Sequence, residues 1–187
     1  MVRSFDGSEV DPVWLGELCA LALWSPTAGN SAGVRMHTVA HEHLSDYFGV
    51  ATDETWRQNA RRATGLQRAG ALVLVTSRIS DYTLRYQEDD KQNSGLGRED
   101  SWPVPYWHTD AAMATLALLL LVEEAGLQAT LWGNFRRESE ILNWARINDE
   151  ELFASVLVGR ADGHDVASVS LARVVATRAE RVHRVEP

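Results

Sequence analysis

The sequence predicts an α+β fold, with a sheet wrapped by helices. Three observations lead there. Helical and strand-like patterns alternate without the regular βαβα order of a doubly wound protein. The run "YWHTDAAMATLALLLLVEEAGL" is a helix that is apolar nearly all round, which implies burial on every side. "ALVLVTS" and "FASVLVG" are short, continuous, β-rich apolar runs, the pattern of buried strands. No repeat, low-complexity segment or linker divides the 187 residues, so they read as one domain over 1–187.

The elements follow in order. "DPVWLGELCALALW" opens with Asp11 as N-cap and Pro12 at the first helical position. Trp14, Leu15, Leu18, Leu21 and Ala22 then recur at helical spacing, giving one buried face. "WSPTAGNSAGV" follows, with more small and polar groups than a turn needs. "VRMHTVA" reads as a strand, and "EHLSDYFG" and "DETWRQNARRATGLQRA" as helices, the second capped by Asp53. After the strand "ALVLVTS" the pattern breaks down from Arg78 to Val104, a polar stretch with glycines and prolines. A loop of that length inside a domain is usually functional. Past the long helix, Gly126 sits where a helix C-terminus favours a left-handed residue. "LQATLW", "RRESEILNWARI" and "FASVLVG" read as strand, amphipathic helix and strand. The last residues, about 164–187, carry β-branched side chains without a helical stripe. They read as an extended arm laid across another surface, such as a second subunit.

Composition narrows the function classes. The chain is 45% hydrophobic and 24% charged, as soluble globular proteins are. A formal net charge of −8 argues against nucleic acid as a partner, since phosphate backbones reward a basic face. The single cysteine, Cys19, permits no internal disulfide and lies in a helical stripe as inert core. The longest apolar run, "MATLALLLLV", is about half the length that spans a bilayer, and the N-terminus lacks an apolar signal core. The expectation is a cytoplasmic protein without a membrane partner.

The familiar catalytic motifs are missing. There is no G-x-G-x-x-G after a strand, no G-x-x-x-x-G-K-[ST] and no G-x-S-x-G. "HEH" at 41–43 sits at a strand-to-helix junction with no third ligand in view, so the histidines read as surface residues and no metal site is expected. In "WHTD", Asp110 reads as a helix N-cap. Seven tryptophans are many for this length; most read as packing, and one or two could line a planar ligand.

Three segments in register carry a resemblance. "ALWSPTAGNS" followed by a strand resembles the A-P-S-x-x-N-S/x-Q-P-W segment of the nitroreductase family of flavin-dependent oxidoreductases. "PYWHTDAAMATLALLLLVEEAGLQATLWGNF" resembles that family's aromatic approach to an Asp, long central helix, A-G-L turn, strand and Gly. "ASVLVGRADGHD" is similar to its last core strand. The resemblance covers essentially the whole chain. It implies an α+β fold with an antiparallel-dominated sheet, a long buried central helix, and a C-terminal arm crossing to the partner of a homodimer. It also implies FMN as cofactor, bound by residues of both chains, and NAD(P)H as co-substrate. The flavin N5 would carry the hydride by a ping-pong mechanism, so no protein residue is expected to be catalytic. The acceptor would be a small electron-poor molecule, such as a nitroaromatic or a quinone.

Carried over residue by residue, Asn30 matches the Asn that hydrogen-bonds the flavin edge, with Pro26, Thr27, Ala28 and Ser31 around it. Arg3 matches a basic residue of the family's N-terminal signature, with Phe5 in its aromatic place, and would meet the FMN phosphate or ribityl chain. Gly133 matches the glycine whose backbone approaches the flavin, and Arg173 the late phosphate-binding Arg. The segment 78–104 would line or gate the acceptor site. Two departures stand out. The signature's first Arg and Ser would precede Met1, and Ala32, Gly33 and Val34 replace Gln-Pro-Trp. These motivate two other readings: a relative that binds flavin without turnover, and an α+β dimer with no ligand.

Overall fold

The computed structural model describes residues 1–134, 136–168 and 181–185. Helix α1 (Pro12–Ala22) starts as its sequence dictates. Asp11 caps it, its carboxylate accepting the Val13 N–H at 2.9 Å, and Pro12 fills the first turn. Strand β1 (Val34–Ala40) leads to α2 (Leu44–Ala51), α3 (Glu54–Asn59) and α4 (Ala63–Gln67). Strand β2 (Ala71–Ser77), α5 (Ile79–Arg85) and the long α6 (Tyr106–Glu124) follow, then β3 (Gln128–Trp132), α7 (Glu138–Ala145) and β4 (Glu151–Gly159).

The four strands form one sheet in the order β1-β2-β4-β3, every neighbouring pair antiparallel. The two central strands are the two continuous apolar runs, because both of their faces are covered. Ala71, Val73, Val75, Val156 and Val158 point to α1 and α6. Leu72, Leu74, Leu152 and Leu157 point the other way, to Phe5, Leu44, Tyr47, Phe48, Leu66 and Ile141. Period-two alternation thus divides the core into two layers, one on each face of the sheet. Pairing steps from Val75–Ala154 to Thr76–Leu152, so Phe153 is the extra residue of a β-bulge. Just beyond the bulge, Glu150 is brought under Thr76, His37 and Arg35.

Several expectations change. The run 53–69 is two short helices, because Ala60 turns extended between them. The break lets Gly65 lie against the N-terminal segment, where an added Cβ would stand 2.6 Å from the Arg3 carbonyl. The stretch after Arg78 is not structureless: α5 occupies Ile79–Arg85, and short 3-10 turns follow at Gln92–Ser94 and Glu99–Ser101. Asp110 is no N-cap. The helix begins at Tyr106, and Asp110 faces inward from its second turn. Finally, α6 buries one face only within the single chain: Leu116 is 57% and Leu120 63% exposed, beside Leu21 and Trp24 of the α1 end. Gly126 takes the left-handed conformation expected of it, at φ 76°. Cys19 is buried, and burial pushes its thiol up to about 12. No helix among the described residues is long and apolar enough to cross a membrane. In the expected C-terminal arm, residues 169–180 and 186–187 lie outside the described residues.

Candidate functional site

The chain between α1 and β1 is held in a strained shape. Gly29, Asn30 and Ala32 all have positive φ, at 61°, 58° and 51°. For a residue with a Cβ such a conformation costs about 1–2 kcal/mol, so other contacts must offset it. They come from α5 and α6. The Ala28 N–H donates to Asp110 Oδ2 at 2.8 Å, and Arg85 Nε donates to the Gly29 carbonyl at 2.9 Å. Inside the loop, Ser31 Oγ donates to the Ala28 carbonyl and the Ala32 N–H to Thr27 Oγ1. Two glycines are required by close approach. An added Cβ would stand 2.6 Å from the Tyr86 ring at Gly29, and 2.3 Å from the Tyr82 ring at Gly33.

Asp110 is the centre of this clamp. It is 1% exposed and also accepts the Tyr82 hydroxyl at 3.0 Å. Burial first, then the Asp110 carboxylate, push the Tyr82 phenol well above its ordinary range, so Tyr82 stays a donor. The loop's own business is thereby settled by backbone and buried groups. Asn30 is left facing outward, and its side-chain amide has no hydrogen-bond partner among the described residues. It offers one acceptor and two donors to a ligand edge. Pro26, Thr27, Ala28, Asn30 and Ser31 lie together on this loop.

Arg3 belongs to a second patch. Its segment is pinned on both sides: the Val2 N–H donates to the Ala129 carbonyl and the Phe5 N–H to the Gly65 carbonyl, both at 3.2 Å. Ser4 Oγ donates to Asp162 at 2.8 Å. Arg3 lines a cavity of about 440 Å³ together with Arg61, Arg62, Trp56, Leu66 and Ser168. Three guanidinium groups thus share one opening, with no carboxylate in its wall among the described residues. Arg62 Nη2 donates to the Val166 carbonyl at 2.9 Å, but its Nε is buried without an acceptor. The guanidinium groups at the opening are placed to meet an anion with charge-assisted hydrogen bonds. Sequence reading missed Arg61 and Arg62 because "NARRATG" looked like the polar side of one long helix. The kink at Ala60 turns the pair toward Arg3.

Trp56 links this cavity to the end of β3. It stacks on Trp132 at 5.3 Å between ring centroids, and Phe48 stacks on Trp132 at 5.4 Å. Gly133 is the next residue. Asn134 after it closes a ring of three hydrogen bonds: Tyr47 Oη to Ser155 Oγ at 2.7 Å, Ser155 Oγ to Asn134 Oδ1 at 2.6 Å, and Asn134 Nδ2 to Tyr47 Oη at 3.2 Å. That ring draws the chain inward at Asn134 and sets the backbone at Gly133. Arg173 lies outside the described residues.

The two patches do not meet within one chain. The loop enters β1 at one edge of the sheet, whereas Gly133 leaves β3 at the other. Three strand spacings separate those edges, roughly 14 Å. The arginine cavity fits a phosphate-bearing group, and the outward Asn30 fits the edge of a polar ring.

The architecture is that of an α+β protein with an antiparallel sheet between helical layers, and it has been seen before. A nitroreductase-like protein of Streptococcus mutans is similar over 99% of this chain and 93% of its own, with a TM-score of 0.74 at 18% identity. A nitroreductase family protein of Streptococcus pneumoniae is similar over 98% and 94%, with a TM-score of 0.71 at 14% identity. A chain from Exiguobacterium sibiricum, solved in complex with FMN, is similar over 90% and 87%, with a TM-score of 0.68 at 13% identity. No curated protein matches the sequence. Residues 1–160 match the profile of the nitroreductase family, and the chain belongs to that family.

Proposed function

We propose that this chain is an FMN-dependent oxidoreductase that carries a hydride from NAD(P)H to a small electron-poor acceptor, such as a nitroaromatic or a quinone. The observation that supports this most is the cavity that Arg3, Arg61 and Arg62 line together. It suits the FMN phosphate, which charge-assisted, bidentate guanidinium contacts favour. FMN, when bound, supplies reversible hydride chemistry, so NAD(P)H and acceptor react in turn by a ping-pong mechanism. The protein's part is to hold and orient. Asn30 presents its amide to the ring edge, with Pro26, Thr27, Ala28 and Ser31 as its rigid frame. Gly133 lets backbone approach without a Cβ. Arg173 would add to the phosphate contacts, and the segment 78–104 would line the acceptor side.

The unit is a homodimer in this reading. The two patches lie on opposite sheet edges, so a partner's loop would complete the site around each arginine cavity. The exposed apolar side chains Leu21, Trp24, Met113, Leu116 and Leu120 form the kind of face that a partner covers. A cytoplasmic location goes with this reading.

FMN titration of the purified protein, followed by flavin absorbance, tests the proposal. Saturable binding followed by bleaching with NADH or NADPH and recovery on adding a quinone is expected. Binding without bleaching would reduce the chain to a flavin carrier, and no binding would remove the cofactor altogether. Sedimentation should show a dimer that Leu116→Glu dissociates.

A further inference from the structure

A further cavity lies away from Arg3, Arg61 and Arg62. It has about 770 Å³, within the size range of small-molecule sites, and lies between α5 and the 97–107 segment. Its apolar wall is Ile79, Pro105 and the indoles of Trp102 and Trp107. Trp102 is held firmly: its Nε1–H donates to the Leu96 carbonyl at 2.8 Å, and its ring meets Tyr82, Tyr86 and Trp107 edge to face. This wall is a built aromatic surface with little freedom to collapse.

The charge at the rim decides what fits. Arg98 is neutralised by Asp100, with Nη2–Oδ2 at 2.6 Å and Nε–Oδ1 at 3.0 Å. Glu99 has no ion-pair partner among the described residues, so the rim carries one uncompensated carboxylate. A second cavity shares Ile79 and Ser80 with the first, and its wall adds Arg78, Asp149, Glu150 and Glu151, a net negative set. The same aromatic cluster already attracts a cation of the chain: Lys91 Nζ stands 5.8 Å from the centre of the Tyr86 ring. Indole side chains and an unpaired carboxylate at one opening favour a positively charged organic group over a neutral or anionic one.

We infer that this cavity binds a planar organic cation, with its ring against Trp102 and Trp107 and its charge toward Glu99. The cavity lies in the segment proposed to line the acceptor side, and the inference deepens that reading; because binding is measured with and without FMN, it can fail while the redox reading stands, and the reverse.

Calorimetry on the full chain, with and without added FMN, tests it with three ligands of similar size. N-methylquinolinium is the cation, quinoline the neutral ring and 2-naphthoate the anion. One-to-one binding of the cation, at least about fivefold tighter than quinoline, is expected from a cation–π contact backed by a carboxylate. Glu99→Gln, an exposed substitution that leaves the aromatic wall intact, should reduce that preference. Trp102→Phe should weaken the cation more than it weakens quinoline. Absence of saturable cation binding, equal binding of 2-naphthoate, or a preference unchanged by Glu99→Gln would each overturn the assignment.

Discussion

The loop between α1 and β1 and the arginine cavity are two separate candidate binding patches, and they are built in opposite ways. In the loop, the backbone groups at Ala28, Gly29 and Ala32 have partners from Asp110, Arg85 and Thr27. The cavity gathers three like charges and leaves a buried donor unpaired at Arg62. The loop's backbone is satisfied within the protein, whereas the cavity keeps three guanidinium groups around one opening.

That contrast can be broken at the loop first, where the largest effect is expected. Asp110→Ala would leave the Ala28 N–H and the Tyr82 hydroxyl buried without an acceptor, and should cost about 2–4 kcal/mol in urea unfolding. The strained residues 29–32 would relax with it, so FMN affinity should fall as well. If stability changed by less than a tenth of that, Asp110 would not be the clamp.

In the cavity the order reverses, with a large effect on ligand and a small one on the fold. Arg62→Ala removes one charge-assisted contact, about 1.5–3 kcal/mol, so the FMN dissociation constant should rise roughly 10- to 100-fold. The ligand-free protein should unfold at nearly the same urea concentration. Equal loss of stability with and without FMN would make Arg62 a structural residue instead.

The Tyr47–Ser155–Asn134 ring ties α2 to β4 beside Gly133. Tyr47→Phe keeps the ring stack but removes the shared hydroxyl, and should cost about 1–2 kcal/mol by thermal or urea unfolding. It should also alter flavin absorbance, because Gly133 would no longer be set by Asn134. An unaltered spectrum would separate this ring from the cofactor.

The smallest effect concerns Cys19. With the folded thiol near 12 against an ordinary 9.0, the unfolded chain loses its proton first as pH rises. This group therefore stabilises the fold below about pH 9, and its contribution fades as pH climbs from there. Alkylation by iodoacetamide at mildly alkaline pH should be slow in the folded protein and fast in urea. Rapid labelling of the folded chain would show that the α1–α6 layer opens readily.

Much of the fold was legible because its signals are local. Asp11 and Pro12 start α1, two apolar runs become the central strands, and Gly126 ends α6, each through contacts within a few residues. The loop patch was legible for a different reason: five of its residues are consecutive or nearly so, and the resemblance placed them. Arg61 and Arg62 were not legible, since nothing in "NARRATG" announces that Ala60 leaves the helix. That break is decided by Gly65 packing on the Arg3 backbone, a contact across some sixty positions.

The amino-acid sequence by itself determined the fold class, the four strands, the start of α1, the exclusion of common nucleotide motifs and the family. Caps, periodicity and motif spacing are read within short windows, and they suffice for those conclusions. The tertiary structure alone decided what Asp110 does, where the arginines converge and why the two patches stand apart in one chain. Those depend on which sheet edge each loop leaves and on which buried groups find partners. Such properties arise when distant segments compete for the same hydrogen bonds and the same space.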